Sequence, residues 1–256
     1  MTLDACTETL RQHDPDRFGA VLVAEPQDRA ALVTLYALNL EIARAPFQSA
    51  EPMLAEMRLQ WWVDRLDQMG AGTPPPLHDV LTPLWQAWGT QAGDLSVLAE
   101  ARRRDCDRQP FDHPDQVVAY VEATTGALMQ IAARRCGAHE GVRDIVGHQA
   151  RGAGLAAWLR ALPQLQAMRL GVEPARPEDA QALAEQARDG LRLAARLHGK
   201  LPRRAAAALY PGPRVPRLLS EIIAGRCDPF AVTPAITPFQ RRASLARLAL
   251  TGHWWR

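Results

Sequence analysis

Residue types that often carry catalysis are present in this chain, but they are not spaced as a known nucleophile, metal or phosphate motif. The seven histidines form no pair four residues apart, and the sequence contains no GxGxxG, GxxxxGK, HExxH or GxSxG pattern. The four cysteines are far apart and include no CxxC pair. This spacing argues against a zinc site or a disulfide framework and favours a reducing compartment.

One pair of carboxylates has a spacing that could hold a metal ion. Asp64 and Asp67 are three residues apart, which places both on one face of a helix. Arg65 lies beside them, so a solvated or salt-bridged helix face is the simpler interpretation.

The elements that must position these groups are helices. Apolar residues recur at intervals of three and four, and no stretch alternates as a strand would, so we predict an all-α chain. We place the helices at about 16–24, 27–45, 50–69, 77–89, 94–108, 114–136, 140–169, 177–198, 202–209, 214–224 and 238–252. Asp14-Pro15, Ser49 and His113-Pro114 are helix-start signals, and Pro46 should end the second helix. No Ser/Gly-rich linker divides the chain, so we predict one domain over 1–256.

Three helices are candidates for the centre of this fold. Residues 30–45 are apolar nearly all the way round, which requires enclosure by other helices. Residues 151–158 are rich in small side chains that allow close backbone approach, and residues 117–131 contain Gly126. We expect a cavity between such helices, since pockets inside helix bundles are common ligand sites.

Several stretches of the sequence resemble the squalene/phytoene synthase family when taken in order. They are Leu35–Ile42, Arg58–Trp62 with Arg65, Asp107–Phe111, Tyr120, Thr124–Leu128 and Gly154–Pro163. The resemblance covers about residues 15–175. It implies an isoprenoid (terpenoid) synthase-like bundle with central helices ringed by others.

The resemblance also shows what this sequence lacks. Enzymes of the family join two prenyl diphosphates and hold Mg²⁺ with two aspartate clusters on facing helices. The corresponding stretches here, Ile42–Phe47 and Arg160–Leu165, contain no carboxylate. We therefore predict no metal ligand, no catalytic residue and no cofactor; Mg²⁺ would be needed only if the chain were an enzyme.

One branch of the family lacks both aspartate clusters, and it includes a mitochondrial assembly factor for respiratory complex I and bacterial relatives. The pattern Gly154–Pro163 and the Arg58-x-x-Trp-Trp62 motif resemble this branch. The resemblance implies a non-catalytic protein that helps to assemble a membrane respiratory complex, with a subunit or an assembly intermediate as partner. Two alternatives stay open: a prenyl transferase that condenses isoprenoid diphosphates at an atypical site, and a module that binds a lipid or prenyl ligand without turnover.

The candidate ligand- or partner-binding residues follow from the matched motifs. They are Tyr36, Arg44, Arg58, Trp61, Trp62, Arg65, Tyr120, Thr124 and Arg160. Arg44 and Arg160 lie near the expected diphosphate position, where a guanidinium can bind phosphate without a metal. Alternatively, both arginines pair with neighbouring acids, and the tryptophans contribute apolar area to a core.

Charge is distributed unevenly along the chain. Residues 190–256 carry 12 basic and two acidic side chains, whereas residues 1–189 carry 18 basic and 26 acidic ones. A basic end can meet an anionic membrane surface or an acidic protein. Residues 238–256 combine arginines, an apolar face and terminal tryptophans, which suits either an interfacial helix or a last helix docked on the core.

Location and remaining partner classes follow from the same composition. No apolar run approaches the ~20 residues of a membrane span, and Met1–Arg17 is too polar for a secretory signal. We therefore predict a cytoplasmic protein that is peripheral at the inner membrane. No recognised motif accompanies the basic region, so we expect no nucleic-acid partner.

Overall fold

The computed structural model describes residues 3–231 and 235–255, and helices dominate this part of the chain, as predicted. Within these ranges no β-strand occurs; the one isolated bridge joins Phe111 and Val172. The α-helices are α1 (Leu3–His13), α2 (Pro15–Val23), α3 (Pro26–Arg44), α4 (Pro52–Gly70), α5 (Leu81–Trp88), α6 (Ser96–Glu100), α7 (Pro114–Val121), α8 (Ala127–Arg135), α9 (Arg143–Ala167), α10 (Pro177–Arg196), α11 (Val215–Ile223) and α12 (Pro238–Thr251). They fall into two compact units, Met1–Asp107 and Arg108–Arg256.

Proline and capping residues set several helix boundaries where the sequence predicts them. Asp14 accepts a hydrogen bond from the backbone N–H of Arg17 at 3.0 Å, and Pro15 occupies the first turn of α2. This bond satisfies one of the amide donors that a helix start leaves unpaired. At the other end, α3 stops at Arg44, and Pro46 lies in the short 3₁₀ turn that follows.

The first unit is built around α3. Its eight residues from 31 to 38 are all buried, as expected for a helix without a polar face. Within this unit α3 contacts α1, α2 and α5. Thr34 donates to the carbonyl oxygen of Ala30 at 2.9 Å, and the Trp88 indole N–H donates to that of Ala31 at 3.1 Å, so these buried polar groups are satisfied.

The second unit is built around α9, which packs closely on α10. A Cβ at Gly152 would lie 2.7 Å from the carbonyl oxygen of Ala187, and one at Gly190 would lie 2.8 Å from that of His148. A Cβ at Gly154 would collide with Val121. These glycines therefore permit the close backbone approach that the small residues of this helix predict.

Two sequence-based predictions of elements are wrong in detail, and one helix, α1, was not predicted. The helix expected at 94–108 is instead a 3₁₀ segment (Gly89–Leu95), the short α6 and a second 3₁₀ turn (Arg103–Cys106). The helix expected at 202–209 is a 3₁₀ turn, Arg203–Ala207. The sequence gives little indication of α1, because only Cys6 and Leu10 of this helix are buried.

The segment expected as one helix over 114–136 contains a π-helical turn, Glu122–Gly126, between α7 and α8. Thr124 donates to the carbonyl oxygen of Tyr120 at 2.7 Å within it. Such π-turns occur mostly as single turns inside α-helices, often at functional sites.

Candidate functional site

The end of α3 is the position that corresponds to the first aspartate cluster. Ala43 and Arg44 occupy it, and the Arg44 guanidinium lies 3.9 Å from the Glu41 carboxylate. Ala45 and Pro46 are buried in the turn that follows. An ion pair of this length with partly exposed partners contributes little stability, so its main effect is to neutralise the charge of Arg44.

The second motif position lies in the second unit, at the C-terminal part of α9. Arg160 donates a hydrogen bond to the carbonyl oxygen of Pro213 at 2.9 Å. Ala161 is half-buried, and Pro163 lies inside the helix, which continues to Ala167. This arginine therefore ties α9 to the loop before α11.

Neither position offers the donors that a magnesium ion requires. Mg²⁺ binds oxygen ligands in near-octahedral geometry. A methyl group and two guanidinium groups supply none, so these residues do not fit the ions that the enzymes of this fold use. Within residues 3–231 and 235–255, no three His, Cys, Asp or Glu side chains are grouped closely enough to hold a metal ion.

Trp61, Trp62 and Arg65 lie on α4 in the first unit. Trp62 is on the inner face of this helix and Trp61 on its outer face. Trp62 is 6% exposed, whereas Trp61 is 37% exposed. Their rings meet edge to face with centroids 4.9 Å apart, and His78 packs against both. Arg65 lies over the Trp61 ring at 5.9 Å, an arrangement that a cation–π attraction stabilises.

The outer face of α4 carries an apolar stripe, which consists of Met53, Leu54, Met57 and Trp61. Their spacing places them within about one quarter of the helix circumference. Met53 is 74% exposed and Met57 is 62% exposed. Four large apolar side chains on one exposed face form a contiguous patch of the kind that marks interaction sites.

The two edges of the α4 stripe differ in charge. Arg58 and Arg65 lie on one edge; Arg58 donates to Gln48 at 2.6 Å. The Nε of Arg65 is buried, and nothing in the described chain accepts a hydrogen bond from it. On the other edge lie Glu56 and Gln60; the Gln60 amide donates at 2.6 Å to Asp64, which lies about one turn beyond Trp61. The Asp64/Asp67 pair is thus a solvated helix face, which is the simpler of the two sequence interpretations.

An arginine from the 3₁₀ turn Arg103–Cys106 of the first unit holds the acidic edge in place. Arg103 donates to Glu56 at 2.9 Å, to Gln60 at 2.6 Å and to Glu100 at 2.6 Å. The hydrogen bond from Arg103 lowers the pKa of the Glu100 carboxyl below its ordinary value. The acidic edge of α4 is therefore already bonded to Arg103 of the same unit, whereas the apolar stripe is exposed.

The other predicted binding residues do not belong to the α4 stripe. Tyr36 lies in the first unit, whereas Tyr120 and Thr124 lie in the second. Tyr36 is buried on α3, and the Arg17 guanidinium lies 5.5 Å from its ring centroid. In the second unit, Tyr120 packs edge to face on Phe111 at 5.4 Å, next to the buried Thr124. Within the first unit, the structure brings together Arg58, Trp61, Trp62 and Arg65 on one helix.

The second unit carries a different exposed helix, α12. Its inner face docks through Leu248, which is buried, and through Ser244, whose hydroxyl accepts a hydrogen bond from Tyr210 at 2.7 Å. Its outer face presents Phe239, 79% exposed, and Leu250, 81% exposed. The helix therefore docks on its unit, as the second interpretation of residues 238–256 expects, and it keeps an apolar face outward; binding of this face to lipid stays a prediction.

The sequence analysis did not single out Met53 and Met57, and it noted the apolar face of residues 238–256 without naming its residues. Met53 and Met57 precede Trp61 at spacings of eight and four, a signal that periodicity could have supplied. Phe239, Ala243, Ala246 and Leu250 repeat at four, three and four, and all are exposed. Both groups are regular helical stripes. The sequence alone does not show which apolar stripe of each helix faces solvent.

A match to a family model covers most of the chain. Residues 10–172 match the model described as squalene/phytoene synthase. Curated relatives include NADH dehydrogenase (ubiquinone) complex I, assembly factor 6, from Bos taurus, Homo sapiens and Mus musculus. Each is 24% identical over 162 residues, which is 62% of this chain and 48% of the relative. The match thus spans about half the length of these relatives.

Two solved structures share the fold. A dehydrosqualene synthase in complex with ligand has a TM-score of 0.76 and 11% identity, covering 96% of this chain and 94% of that one. The squalene synthase HpnC from Alicyclobacillus acidocaldarius has a TM-score of 0.67 and 15% identity, covering 98% and 94%. At such identities the likeness concerns the fold alone, and it confirms the terpenoid synthase-like all-α architecture.

Proposed function

Because the chain belongs to the squalene/phytoene synthase family, we propose that it is a non-catalytic member that assists the assembly of a membrane respiratory complex of the complex I type. The observation that carries this proposal is the replacement of acidic ligands at both motif positions. Ala43 and Arg44 end α3, and the stretch from Arg160 to Leu165 on α9 also has no carboxylate. The relatives named as complex I assembly factors support the role in assembly.

The loss of both acidic clusters matters because the diphosphate leaving group carries several negative charges. In metal-dependent prenyl transfer, Mg²⁺ ions neutralise that charge as the bond breaks. A guanidinium group can bind a phosphate, but Arg44 lies beside Glu41 and Arg160 is bonded to a backbone carbonyl. These contacts favour a structural role for both arginines.

We place the partner-binding surface on the α4 stripe. Methionine side chains are flexible and polarisable, so a surface built from Met53 and Met57 can adapt to an apolar partner helix. Trp61 adds a rigid ring of the type that concentrates binding energy in interfaces. The neighbouring Arg58 and Arg65 favour a partner that places acidic side chains along the basic edge. Such a partner is an amphipathic, acidic-edged segment of a complex subunit or assembly intermediate.

The experiment that tests the role in assembly uses a strain that lacks this chain. We expect a lower content of assembled complex I and a lower NADH:ubiquinone oxidoreductase activity, both restored by the wild-type gene. Native gels stained for NADH dehydrogenase activity measure the first and membrane assays the second. Normal complex I content and activity in the deletion strain would contradict the proposal.

The enzymatic alternative has a separate test. The purified chain is incubated with farnesyl or geranylgeranyl diphosphate and Mg²⁺, and the release of diphosphate and the formation of coupled products are measured. We expect neither, since nothing at the two motif positions supplies an oxygen ligand. Product formation that depends on this protein would establish a prenyl transferase with an atypical site.

The place of action that fits this role is the inner membrane, with the chain held peripherally from the cytoplasmic side. No helix among residues 3–231 and 235–255 is long and apolar enough to cross a membrane. Attachment through the basic residues 190–256 to anionic lipid is the interaction that their charge favours. We propose that any lipid or prenyl ligand of this chain is bound without being converted.

A further inference from the structure

Helix α12 of the second unit has an outer face that is apolar and exposed. Phe239 is 79% exposed and Leu250 is 81% exposed, and the alanines between them on this face, Ala243 and Ala246, are exposed as well. Successive residues of an α-helix are turned by about 100°, so these four residues lie within about 60° of the helix circumference. We call them the α12 stripe.

The two large side chains of the α12 stripe lie at its two ends. Phe239 and Leu250 are about 16 Å apart along the helix axis, and their directions differ by about 20°. A flat surface that lies along α12 therefore contacts both side chains at equal depth. In a protein interface, by contrast, large side chains near the centre carry most of the binding energy. The centre of this stripe has only alanines, which favours an extended flat surface over a protein partner.

The length and docking of α12 favour a helix that lies on a surface. The helix has 14 residues, whereas a membrane span needs about 20. Its inner face is held to its own unit by the buried Leu248 and by the hydrogen bond from Tyr210 to Ser244. The stripe is therefore presented outward in a fixed orientation, as in helices that bind in the plane of a membrane.

Positive charge borders the α12 stripe. Arg242 is exposed and lies about 60° to one side of Phe239 on the helix. A long arginine side chain can lay its apolar stem along a hydrocarbon boundary and place its guanidinium at the level of lipid phosphates. Since α12 contains no acidic residue, the helix has no opposing charge of its own.

Two further cations come from turns beside the C-terminal end of α12. A Cβ at Gly252 would lie 3.2 Å from the Nε of Arg203, so this exposed arginine packs against the turn that ends the helix. Beyond that turn, Trp255 stacks on His198 with ring centroids 3.9 Å apart. The exposed Lys200 belongs to the same 3₁₀ turn as His198. These residues extend the positive border past the end of the helix.

The acidic residues of this part of the chain are bonded elsewhere. From residue 190 onward there are two, Glu221 and Asp228. Glu221 is bonded to Arg217 at 2.6 Å, and Asp228 accepts a hydrogen bond from the backbone N–H of Phe230 at 2.9 Å. Charge complementarity therefore favours an anionic partner. An anionic bilayer combines that charge with an apolar layer directly beneath it, which the stripe requires.

We propose that α12 lies in the plane of an anionic phospholipid membrane, with Phe239 and Leu250 inserted to equal depth just below the headgroups. Arg242, Arg203 and Lys200 then lie at the level of the lipid phosphates. This inference rests on the membrane attachment proposed above and names the helix and the side chains that make it. It does not depend on the role in complex I assembly.

The first test measures insertion at single positions of the full chain. Cys227→Ser removes the partly exposed cysteine and leaves three that are buried. Phe239→Cys or Leu250→Cys is then added and labelled with the apolar, environment-sensitive dye NBD. The matched control is Leu22→Cys, at an exposed apolar position on α2. Circular dichroism and thermal unfolding verify that each variant folds as the wild type does.

The labelled proteins are mixed with phosphatidylcholine vesicles that contain or lack phosphatidylglycerol. With phosphatidylglycerol, the emission of the labels at 239 and 250 should rise and shift to the blue, while the label at 22 stays unchanged. Lipids with a spin label near the headgroup should quench the labels at 239 and 250 equally, and more strongly than lipids with a spin label deep in the acyl chain.

The second test removes the charged border. Arg203→Gln/Arg242→Gln should weaken sedimentation with phosphatidylglycerol vesicles by about thirtyfold, since each cation near such a surface contributes attraction. The matched control, Arg134→Gln/Arg226→Gln, removes two exposed arginines of the same unit that lie on other segments. It changes the net charge equally and should weaken binding by less than about threefold.

Several results would overturn the proposal. Vesicle binding without a response of the labels at 239 and 250 would place the attachment elsewhere in the chain, and a response at only one of them would exclude a helix lying in the membrane plane. Equal losses in the two arginine variants would remove the charged border. A dimer that Phe239→Glu/Leu250→Glu dissociates in analytical ultracentrifugation would assign the stripe to a second copy of this chain.

A wild type that does not bind phosphatidylglycerol vesicles would contradict both this inference and the membrane attachment on which it rests. Because all these assays use purified protein, they are independent of the complex I content measured in the deletion strain. A failure of α12 as the membrane-bound helix is therefore distinguishable from a failure of the assembly role.

Discussion

Helices α4 and α12 each expose an apolar stripe, but the charges around the two stripes differ. The α4 stripe has arginines on one edge and acidic residues on the other, and Arg103 ties Glu56 of the acidic edge to its own unit. The α12 stripe is flanked by Arg242 and Arg247, and α12 itself contains no acidic residue. An apolar stripe bordered by both charges can bind a protein partner in one register and orientation. A stripe bordered only by positive charge favours binding to an anionic membrane, whose charge is diffuse.

The side chains of the two stripes support the same distinction. Flexible methionines and a tryptophan on α4 suit a shaped partner, and the Phe, Ala and Leu side chains of α12 suit insertion among lipid headgroups. We therefore propose two separate binding surfaces, one in each unit. The following predictions test whether the two surfaces are independent.

The largest expected change in stability comes from removing the buried tryptophan on the inner face of α4, and it is compared with removing the exposed tryptophan on the outer face. Trp62→Ala removes a buried ring and should lower the free energy of unfolding by about 3–5 kcal/mol. Trp61→Ala removes a partly exposed ring and should cost about 1 kcal/mol, mainly through lost aromatic contacts. Guanidinium denaturation of both variants measures the difference. Equal losses would mean that the outer ring belongs to the core and would weaken the case for the α4 stripe.

The next prediction concerns vesicle binding through the α12 stripe. Phe239→Glu/Leu250→Glu replaces two exposed apolar side chains, each worth about 1.5–3 kcal/mol when buried, so binding to phosphatidylglycerol vesicles should fall by about a hundredfold or more. Met53→Glu/Met57→Glu on α4 makes the same exchange and serves as the matched control. If the α4 variant loses vesicle binding as strongly, the two surfaces are not specialised as argued.

A smaller effect should follow from loosening the inner face of α12. Ser244→Ala removes the hydrogen bond from Tyr210 and should cost about 1 kcal/mol of local stability. Hydrogen exchange should then quicken in α12 by about fivefold, while α4 keeps its wild-type protection. Exchange that quickens equally in both helices would show that this bond stabilises the whole molecule rather than the docking of α12.

The last prediction compares thiols of the two units and changes no residue. Burial raises the pKa of Cys6 to about 11 and that of Cys106 to about 11. At pH 8 only about one in a thousand of these thiols is ionised, and reactivity requires the thiolate. Cys227 is partly exposed, so Ellman's reagent should label it first in native protein at this pH. Labelling of Cys6 before Cys227 would contradict the described burial of α1.

Much of this fold follows from local patterns in the sequence. The apolar helix α3, its end before Pro46 and the glycine-rich packing of α9 are each dictated by a few residues. The 3₁₀ segment Gly89–Leu95, which overlaps the start of the helix expected at 94–108, is not, because it packs on α4 through a tertiary contact: a Cβ on Gly93 would come 2.7 Å from the Cα of Gly70 on α4. Propensity and periodicity describe one segment at a time and cannot anticipate such an approach.

The candidate surfaces were only partly predictable for a related reason. The motif residues Arg58, Trp61 and Arg65 indicate α4, but Met53 and Met57 become informative only when their exposure is known. A cleft of the second unit is lined by residues up to 64 positions apart, from Leu191 to Trp255, so no local pattern contains it. The sequence shows which motif positions have no carboxylate, but it does not show which apolar side chains are exposed.

The central claim is that this chain promotes assembly through the α4 stripe. The most direct measurement is the content of assembled complex I in a strain that lacks the chain and carries Met53→Glu/Met57→Glu, with Leu22→Glu on α2 as a control at another exposed apolar position. The account predicts that wild type and Leu22→Glu restore the complex, while the α4 variant, expressed at the same level, leaves it near that of the deletion strain. Full restoration by the α4 variant would contradict the account.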